Sequence, residues 1–515
     1  MAKQTAMGGR LGNVIKNSSL GLINNVLPSI LRFLSRYIFI IYFGDALLGV
    51  NSLFGDVVLL FSFAEMGIFS AVSYFLYKPI AEEDHEKAQS LLALYRKFNI
   101  AIIVMVSVVG LVFLPFLDLI KVQEPIPNLW MYYLVFLAQN ILSYFFSYRT
   151  AYLTAAQKAY QVSYISIITS VISIVMQIVV TIVTRNFLAY LLTDLLLNVV
   201  KVFWTNHYIV THYPQTKLVN PKPLDAASKK QFFQKTKSLF AVRLANLGIS
   251  QTDSIIVSTM VDVAQWGYVS NYLSIKKIGS MALSAFSMGM LPSLGNLTAI
   301  ESREKQIESF NLYSFFSAWL YLNFFAGFVI LVPPFVAMTF GEIRVLDDLT
   351  CFLLFFNVLY NGLLEAVTIL RDARGLYQED LGLTIAAFFG NLVASIILVR
   401  LFGLPGVFAG TIIGTTIMYG RPYVIWREVF GEKNFSYYRL ALVTIVEALI
   451  AYVILQFVLV PMVWNWQSNL FGLILLAAIT VAVTNLVFLL MNLRNPQLKN
   501  VLDLVVGRFI KKKQA

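Results

Sequence analysis

Two adjacent lysines, Lys276 and Lys277, stand about twelve residues inside an otherwise apolar run. At ~1.5 Å per helical residue they fall near the middle of a ~30 Å hydrocarbon layer. An ammonium at that depth is costly unless it has a partner, a water-filled cavity or an anionic ligand. Other runs carry similar groups. Asn25, Ser29, Arg32 and Arg36 recur at helical spacing, as do Arg243, Asn246, Ser250 and Ser254, with Gln251 and Asp253 beside them. Ser270, Ser274 and Lys277 share one face, and Asp194, Asn198 and Lys201 share another. Asp56, Glu65, Glu365 and Glu447 are the remaining acids within apolar runs. The bases suit a phosphate or pyrophosphate cargo, because charge-assisted bonds to phosphate oxygens are the strong ones. Asp253, Asp194, Lys201, Asp56 and Glu365 are the candidates for coupling to H⁺ or Na⁺. Glu447 lies outside the repeat described below and is expected to pair helices.

Other chemistry finds little support. No GxxxxGK[ST] phosphate loop occurs, so ATP hydrolysis is not expected. His85, His207 and His212 lack metal-ligand spacing, and Cys351 is the single cysteine, so neither a metal site nor an internal disulfide is expected. Asp347 and Asp348 suit a helix start better than a sugar-nucleotide site. No cofactor is expected.

The elements that hold these groups are apolar helices. The 515-residue chain is 58% hydrophobic and 13% charged, against about 25% charged in soluble domains. Fourteen runs are long enough to span: 20–43, 50–77, 98–120, 130–153, 161–184, 187–210, 239–261, 265–297, 314–338, 349–370, 381–401, 406–426, 440–461 and 469–491. Of the 39 Lys and Arg, Lys121, Arg185, Arg344 and Arg400 fall in outer connections. Arg32, Arg36, Lys201, Arg243, Lys276 and Lys277 fall well inside runs, and with the run-end Arg149 and Arg421 counted in the adjoining connections 29 remain on the other side. That bias predicts both termini inside. It also accounts for the net charge of +12 without nucleic acid.

The chain repeats at an offset of 218. Gly49 falls on Gly267, Ser52 on Ser270 and Pro115 on Pro333. Between 83–98 and 301–316, six positions are identical: Glu83/Glu301, Glu86/Glu304, Lys87/Lys305, Leu94/Leu312, Tyr95/Tyr313 and Phe98/Phe316. The expected fold is all-α and polytopic, with two parallel six-helix repeats around a V-shaped central cavity. The expected divisions are a basic segment (1–19), a first bundle (20–212), a polar cytoplasmic linker (213–238), a second bundle (239–430), two added helices (431–493) and a basic amphipathic tail (494–515). The run after residue 19 is long enough to remain as a span, so no cleaved signal is expected. Helices 1, 7 and 8 together carry five bases (Arg32, Arg36, Arg243, Lys276, Lys277) and one acid (Asp253), which predicts a cationic cleft. Lys276 and Lys277 fall on Val58 and Leu59, so the cleft should be asymmetric.

The segments RYIFIIYFGDALLGVNSLF (36–54), FAEMGIFSAVSYFLYKPIAEED (63–84), AAQKAY (155–160), TDSIIVSTMVDVAQWGYVSNY (252–272) and RDARGLYQED (371–380) occur in that order. Through them, residues ~17–430 resemble the polysaccharide repeat-unit flippases of the multidrug/oligosaccharidyl-lipid/polysaccharide exporter superfamily, in the Gram-positive capsule or exopolysaccharide branch. The resemblance implies alternating access and a glycan repeat unit on undecaprenyl pyrophosphate, moved from the inner to the outer leaflet of a bacterial cytoplasmic membrane. It implies pyrophosphate contacts for Arg32 and Arg36; for Arg243, Lys276, Lys277, Asn25 and Ser274 the expectation rests on position alone. Membrane lipids, a polysaccharide polymerase and glycosyltransferases are the implied partners. A lipid II flippase or a drug/cation antiporter would share the fold, although an antiporter should favour acids in the cleft. A membrane polymerase or glycosyltransferase is the alternative of another class, but the outer connections are short and nearly featureless.

Neutralising Arg32, Lys276 and Lys277 together is expected to slow transport of a pyrophosphate-bearing lipid in proteoliposomes at least tenfold, since each charged hydrogen bond contributes about 1.5–3 kcal/mol. Unchanged transport would remove the cationic-cleft reading.

Overall fold

The computed structural model describes the chain except residues 1, 62, 220, 225–228, 230–231, 233–250, 301, 375, 432–435, 463–468 and 501–515; the side chains of residues 2–19, 21–22, 25, 61, 63–67, 70–71, 74, 282, 284–300 and 373, Asn25 and Glu65 among them, are also outside the described residues. Arg243, Asn246, Ser250 and most of the basic tail therefore lie outside the described residues. The described residues are helical with no strands, and they divide into two compact units, Met1–Ser270 and Asn271–Ala515.

The first unit contains α1 (Ala2–Phe61), α2 (Phe63–Ala81), α3 (His85–Phe113), α4 (Leu129–Tyr144), α5 (Ser147–Ala155), α6 (Tyr160–Thr184), α7 (Phe187–His212), α8 (its described part 251–260) and the start of α9 (Val263–Ile300). The second holds the rest of α9, then α10 (Arg303–Phe340), α11 (Asp348–Gly362), α12 (Glu365–Arg374), α13 (Leu381–Phe402), α14 (Leu404–Met418), α15 (Arg421–Phe430), α16 (Ser436–Val453, extended by a π turn over Ile454–Leu459), α17 (Val460–Met462) and α18 (Leu470–Asn492). Among the described residues, eight helices are long and apolar enough to cross a membrane, or ten if each of two bent pairs is one span.

α1 is not one rod. Gly44 has φ 75° and ψ −177°, a region open essentially to glycine. Arg36 donates to the Ser52 hydroxyl at 3.2 Å, whereas sixteen residues of straight helix would hold them ~24 Å apart. The chain therefore doubles back at Gly44, which stands midway between the two bonded partners. Asp347 starts α11 as an N-cap, accepting from the Thr350 amide at 2.9 Å, as the sequence suggests.

Two runs read as straight spans are bent. α4 and α5 meet at 46°, and α11 and α12 at 42°. The breaks fall at 145–146 and 363–364, which are 218 residues apart. A break frees backbone carbonyls that lipid cannot satisfy. In the first unit Asn99 of α3 donates to the Tyr144 carbonyl at 3.1 Å and to the Ser147 hydroxyl at 2.8 Å. In the second, Tyr437 of α16 donates to the Leu363 carbonyl, and Tyr419 to the Tyr360 carbonyl at 2.9 Å.

The expected polar linker is not polar throughout. Phe232 is fully buried against Phe75 and Phe98, with ring centroids at 5.6 and 5.9 Å. An exposed pair, Lys222 with Glu86 at 2.9 Å, tethers the start of the linker to α3. α13 and α14 pack closely because Gly410 and Gly414 face Ser395 and Asn391; Ser395 donates to the Val407 carbonyl and Asn391 to the Thr411 hydroxyl, both at 3.1 Å.

Gly44→Val is expected to lower stability by about 1–3 kcal/mol through backbone strain. Asn99→Leu should lower it by a similar ~1–3 kcal/mol through an unpaired carbonyl. Thermal melts in detergent check both; a melt unchanged for Gly44→Val would contradict the doubled-back turn.

Candidate functional site

The turn at Gly44 brings the second segment of α1 alongside Arg36. Arg36 Nη1 donates to the Ser270 carbonyl at 2.9 Å, and Nη2 to the Ser270 hydroxyl at 2.6 Å and the Ser52 hydroxyl at 3.2 Å. Ser270 in turn donates to the Gly267 carbonyl at 2.7 Å, which uses its proton and leaves oxygen lone pairs for the arginine. Ser52 and Ser270 are partners at the offset of 218. So are Gly49 and Gly267, which meet backbone to backbone. A Cβ on Gly267 would lie 2.8 Å from the Asp45 carbonyl and 3.1 Å from the Gly49 nitrogen, and one on Gly49 would collide with the Val263 carbonyl. Only glycine allows this approach, and the approach is what puts Ser270 within reach of Arg36.

One helical turn beyond Ser52, Asp56 accepts from the Trp266 indole at 3.2 Å, beside the buried Ser254 hydroxyl, which donates to the Gln251 carbonyl at 2.9 Å. Asp56 also lies within electrostatic range of Arg36. By sequence Arg36 is expected at the cargo and Asp56 at ion coupling; in the structure the two share one cluster. Arg36 turns inward onto two serines, whose neutral oxygens accept from its Nη1 and Nη2 across the helical hairpin.

A second polar group lines α6 and α7. Ser173 donates to Asp194 at 2.6 Å. Asp194 and Arg32 act electrostatically on Lys201, and Tyr190 senses Asp194, Arg32 and Arg36. Arg32 itself is exposed, one turn from Arg36. Rings close one end of this group: Phe39 stands 5.2 Å from Tyr190, Phe43 5.5 Å from Phe187, and Tyr132 4.8 Å from Phe187. The first unit thus combines Arg32, Arg36, Tyr190, Asp194 and Lys201 with Asp56, so it holds acids as well as the expected bases.

The other expected residues stand elsewhere. Asp253 lies on α8, partly buried. Ser274, Lys276 and Lys277 follow Ser270 along α9 and belong to the second unit; Lys276 is partly buried and Lys277 exposed. Glu365 opens α12 at the bend, in the electrostatic surroundings of Tyr321 and Tyr437. A carboxylate suits that helix start. Glu447 is fully buried and accepts from Asn492, joining α16 to α18, which is the helix-pairing role its position suggests. Among the described residues no three His, Cys, Asp or Glu side chains are grouped to hold a metal.

One cluster escaped the sequence reading. Arg371, Asp380 and Arg421 count there as cytoplasmic loop charges, yet all three are buried. Arg371 reaches Asp380 at 3.1 Å and Asp372 at 2.8 Å. Arg421 donates to Asp380, and also to the Thr368 hydroxyl at 3.0 Å and the Thr384 hydroxyl at 3.3 Å. The available signal was the mixture of acids and arginines in RDARGLYQED, which a solvated loop does not require.

No family model matches the chain, and no curated protein matches it by sequence. Solved structures do. The lipid II flippase MurJ, in an inward closed conformation, superposes with a TM-score of 0.65 at 12% identity, covering 91% of this chain and 98% of that one. An inward-facing multidrug resistance MATE transporter of the MOP superfamily gives 0.63 at 16% identity, covering 81% and 98%. A variant of the Vibrio cholerae MATE transporter VcmN gives 0.54 at 14%, covering 82% and 100%. At such identities the likeness is one of fold. The chain is a multi-pass helical membrane protein with the fold of these transporters, and the solved structures it resembles are transporters, not enzymes.

Proposed function

We propose that the chain is a flippase carrying an undecaprenyl-pyrophosphate-linked oligosaccharide repeat unit from the inner to the outer leaflet of a bacterial cytoplasmic membrane, by alternating access, for capsule or exopolysaccharide synthesis. Fourteen spans with both termini inside, and a polymerase and glycosyltransferases as partners, belong to the same reading. The observation that carries it is the Arg36 clamp. Its Nη1 and Nη2 atoms bond neutral oxygens of Ser52 and Ser270, which phosphate oxygens can replace with shorter and stronger bonds. Arg32 and Lys201 extend the positive field along α1 and α7. Lys276 and Lys277 on α9 are proposed as further phosphate contacts. A lipid II cargo is the nearest variant, given the MurJ fold.

A second reading, an H⁺- or Na⁺-coupled antiporter of drugs or cations, draws on Asp56 and Asp194 within the same polar region and on the MATE fold. The two separate in proteoliposomes containing the purified chain and a fluorescent lipid-linked oligosaccharide, with H⁺, Na⁺ and voltage gradients imposed one at a time. Translocation of the labelled lipid supports the flippase. Cation efflux without lipid movement supports the antiporter.

Arg36→Gln should slow lipid translocation at least tenfold, and Arg36→Lys should recover part of it, because the ammonium keeps the charge but loses the fork. Full activity in Arg36→Gln would sink the clamp as a cargo contact. Asp56→Asn is expected to remove any dependence on a proton or Na⁺ gradient while leaving the protein folded; a gradient response retained in that variant would exclude Asp56 as the coupling group.

A further inference from the structure

The second unit contains a polar cavity of about 310 Å³ among α10, α16 and the turn that follows α18. That volume lies at the lower end of small-ligand pockets. Arg439 and Arg494 line it, with Asn311, Ser436 and Gln497 adding polar groups. Both arginines are exposed, and neither has an acidic partner among the described residues. The floor is apolar, formed by Phe315, Leu440, Val443 and Met491.

The site is built. Asn495 donates to the Asn492 side chain at 3.1 Å, and Asn492 donates onward to the buried Glu447 and to the Phe488 carbonyl at 3.0 Å. The Gln497 amide closes on the Asn495 side chain at 3.1 Å. These bonds fix the 492–497 turn that carries Arg494. The cavity sits where α16 begins and α18 ends, so it lies at a membrane interface. The same helices expose Leu442, Leu489, Leu490 and Leu493 to the surroundings. Basic pockets between spans at that level suit lipid headgroups.

We propose that this cavity binds the phosphate of an anionic phospholipid of the surrounding leaflet, with Arg439 and Arg494 as its ligands and the acyl chains against the exposed leucines. It is separate from the Arg36 cluster, and the proposal stands whether or not the chain is a flippase.

The test uses the full chain in nanodiscs of phosphatidylglycerol or phosphatidylcholine, with retained lipid counted by native mass spectrometry. Phosphatidylglycerol should be retained in preference. The double variant Arg439→Gln/Arg494→Gln should lose at least tenfold of that retention with an unchanged thermal melt, and Arg439→Lys/Arg494→Lys should keep part of it. Equal retention of both lipids, or full retention by the Gln variant, overturns the proposal. Displacement of the lipid by excess inorganic phosphate would assign the cavity to a soluble phosphate and overturn it as well.

Discussion

The fold depends on the demand that every backbone polar group inside an apolar medium find a partner within the protein. Regular helices meet it without help. The informative places are those where a helix stops early, and there the partner is a specific side chain. At the α4–α5 bend it is Asn99, and at the α11–α12 bend it is Tyr437. Several threonines within the spans bond carbonyls of the preceding turn of their own helix, as Thr169, Thr259 and Thr480 do. Ser52, Ser173 and Ser270 instead reach across helices, and each of them touches a charged residue.

Two kinds of buried charge result. Arg36 donates to neutral oxygens of Ser52 and Ser270, with Asp56 in electrostatic range. Arg371 and Arg421 share the carboxylate of Asp380, while Asp372 takes other donors of Arg371 and threonine hydroxyls take those of Arg421. Removing either partner of such a pair leaves a bare charge in a low-dielectric site, so the knot acts as a fixed fastening for α12, α13 and α15. The first arrangement is suited to exchange of partners, the second to permanence.

Helical class, membrane location and the charged residues of the first site were legible because each depends on local composition. The register of 218 was legible too, since Gly49, Ser52 and the 83–98 loop recur in it; the same register marks the two bends. The bends themselves were hidden because both runs are continuously apolar, and the groups that satisfy the freed carbonyls are a distant asparagine and tyrosine. The doubling back at Gly44 falls between two expected spans, whereas the Arg371–Asp380–Arg421 knot was lost because hydropathy ranks any charged cluster as surface. Phe232 shows the opposite case, an apolar side chain within a polar connection that finds a hole in the neighbouring bundle.

α18 is fastened to α10 by a short polar chain: Trp319 donates to Asn485 at 2.7 Å, and Asn485 donates to Asn323 at 2.9 Å. In the register of 218 the corresponding positions of α3 are Ala101 and Met105, both exposed and unable to receive such bonds. The anchor for α18 is therefore specific to α10: in the 218 register of the sequence, the two polar residues that receive it have apolar counterparts on α3.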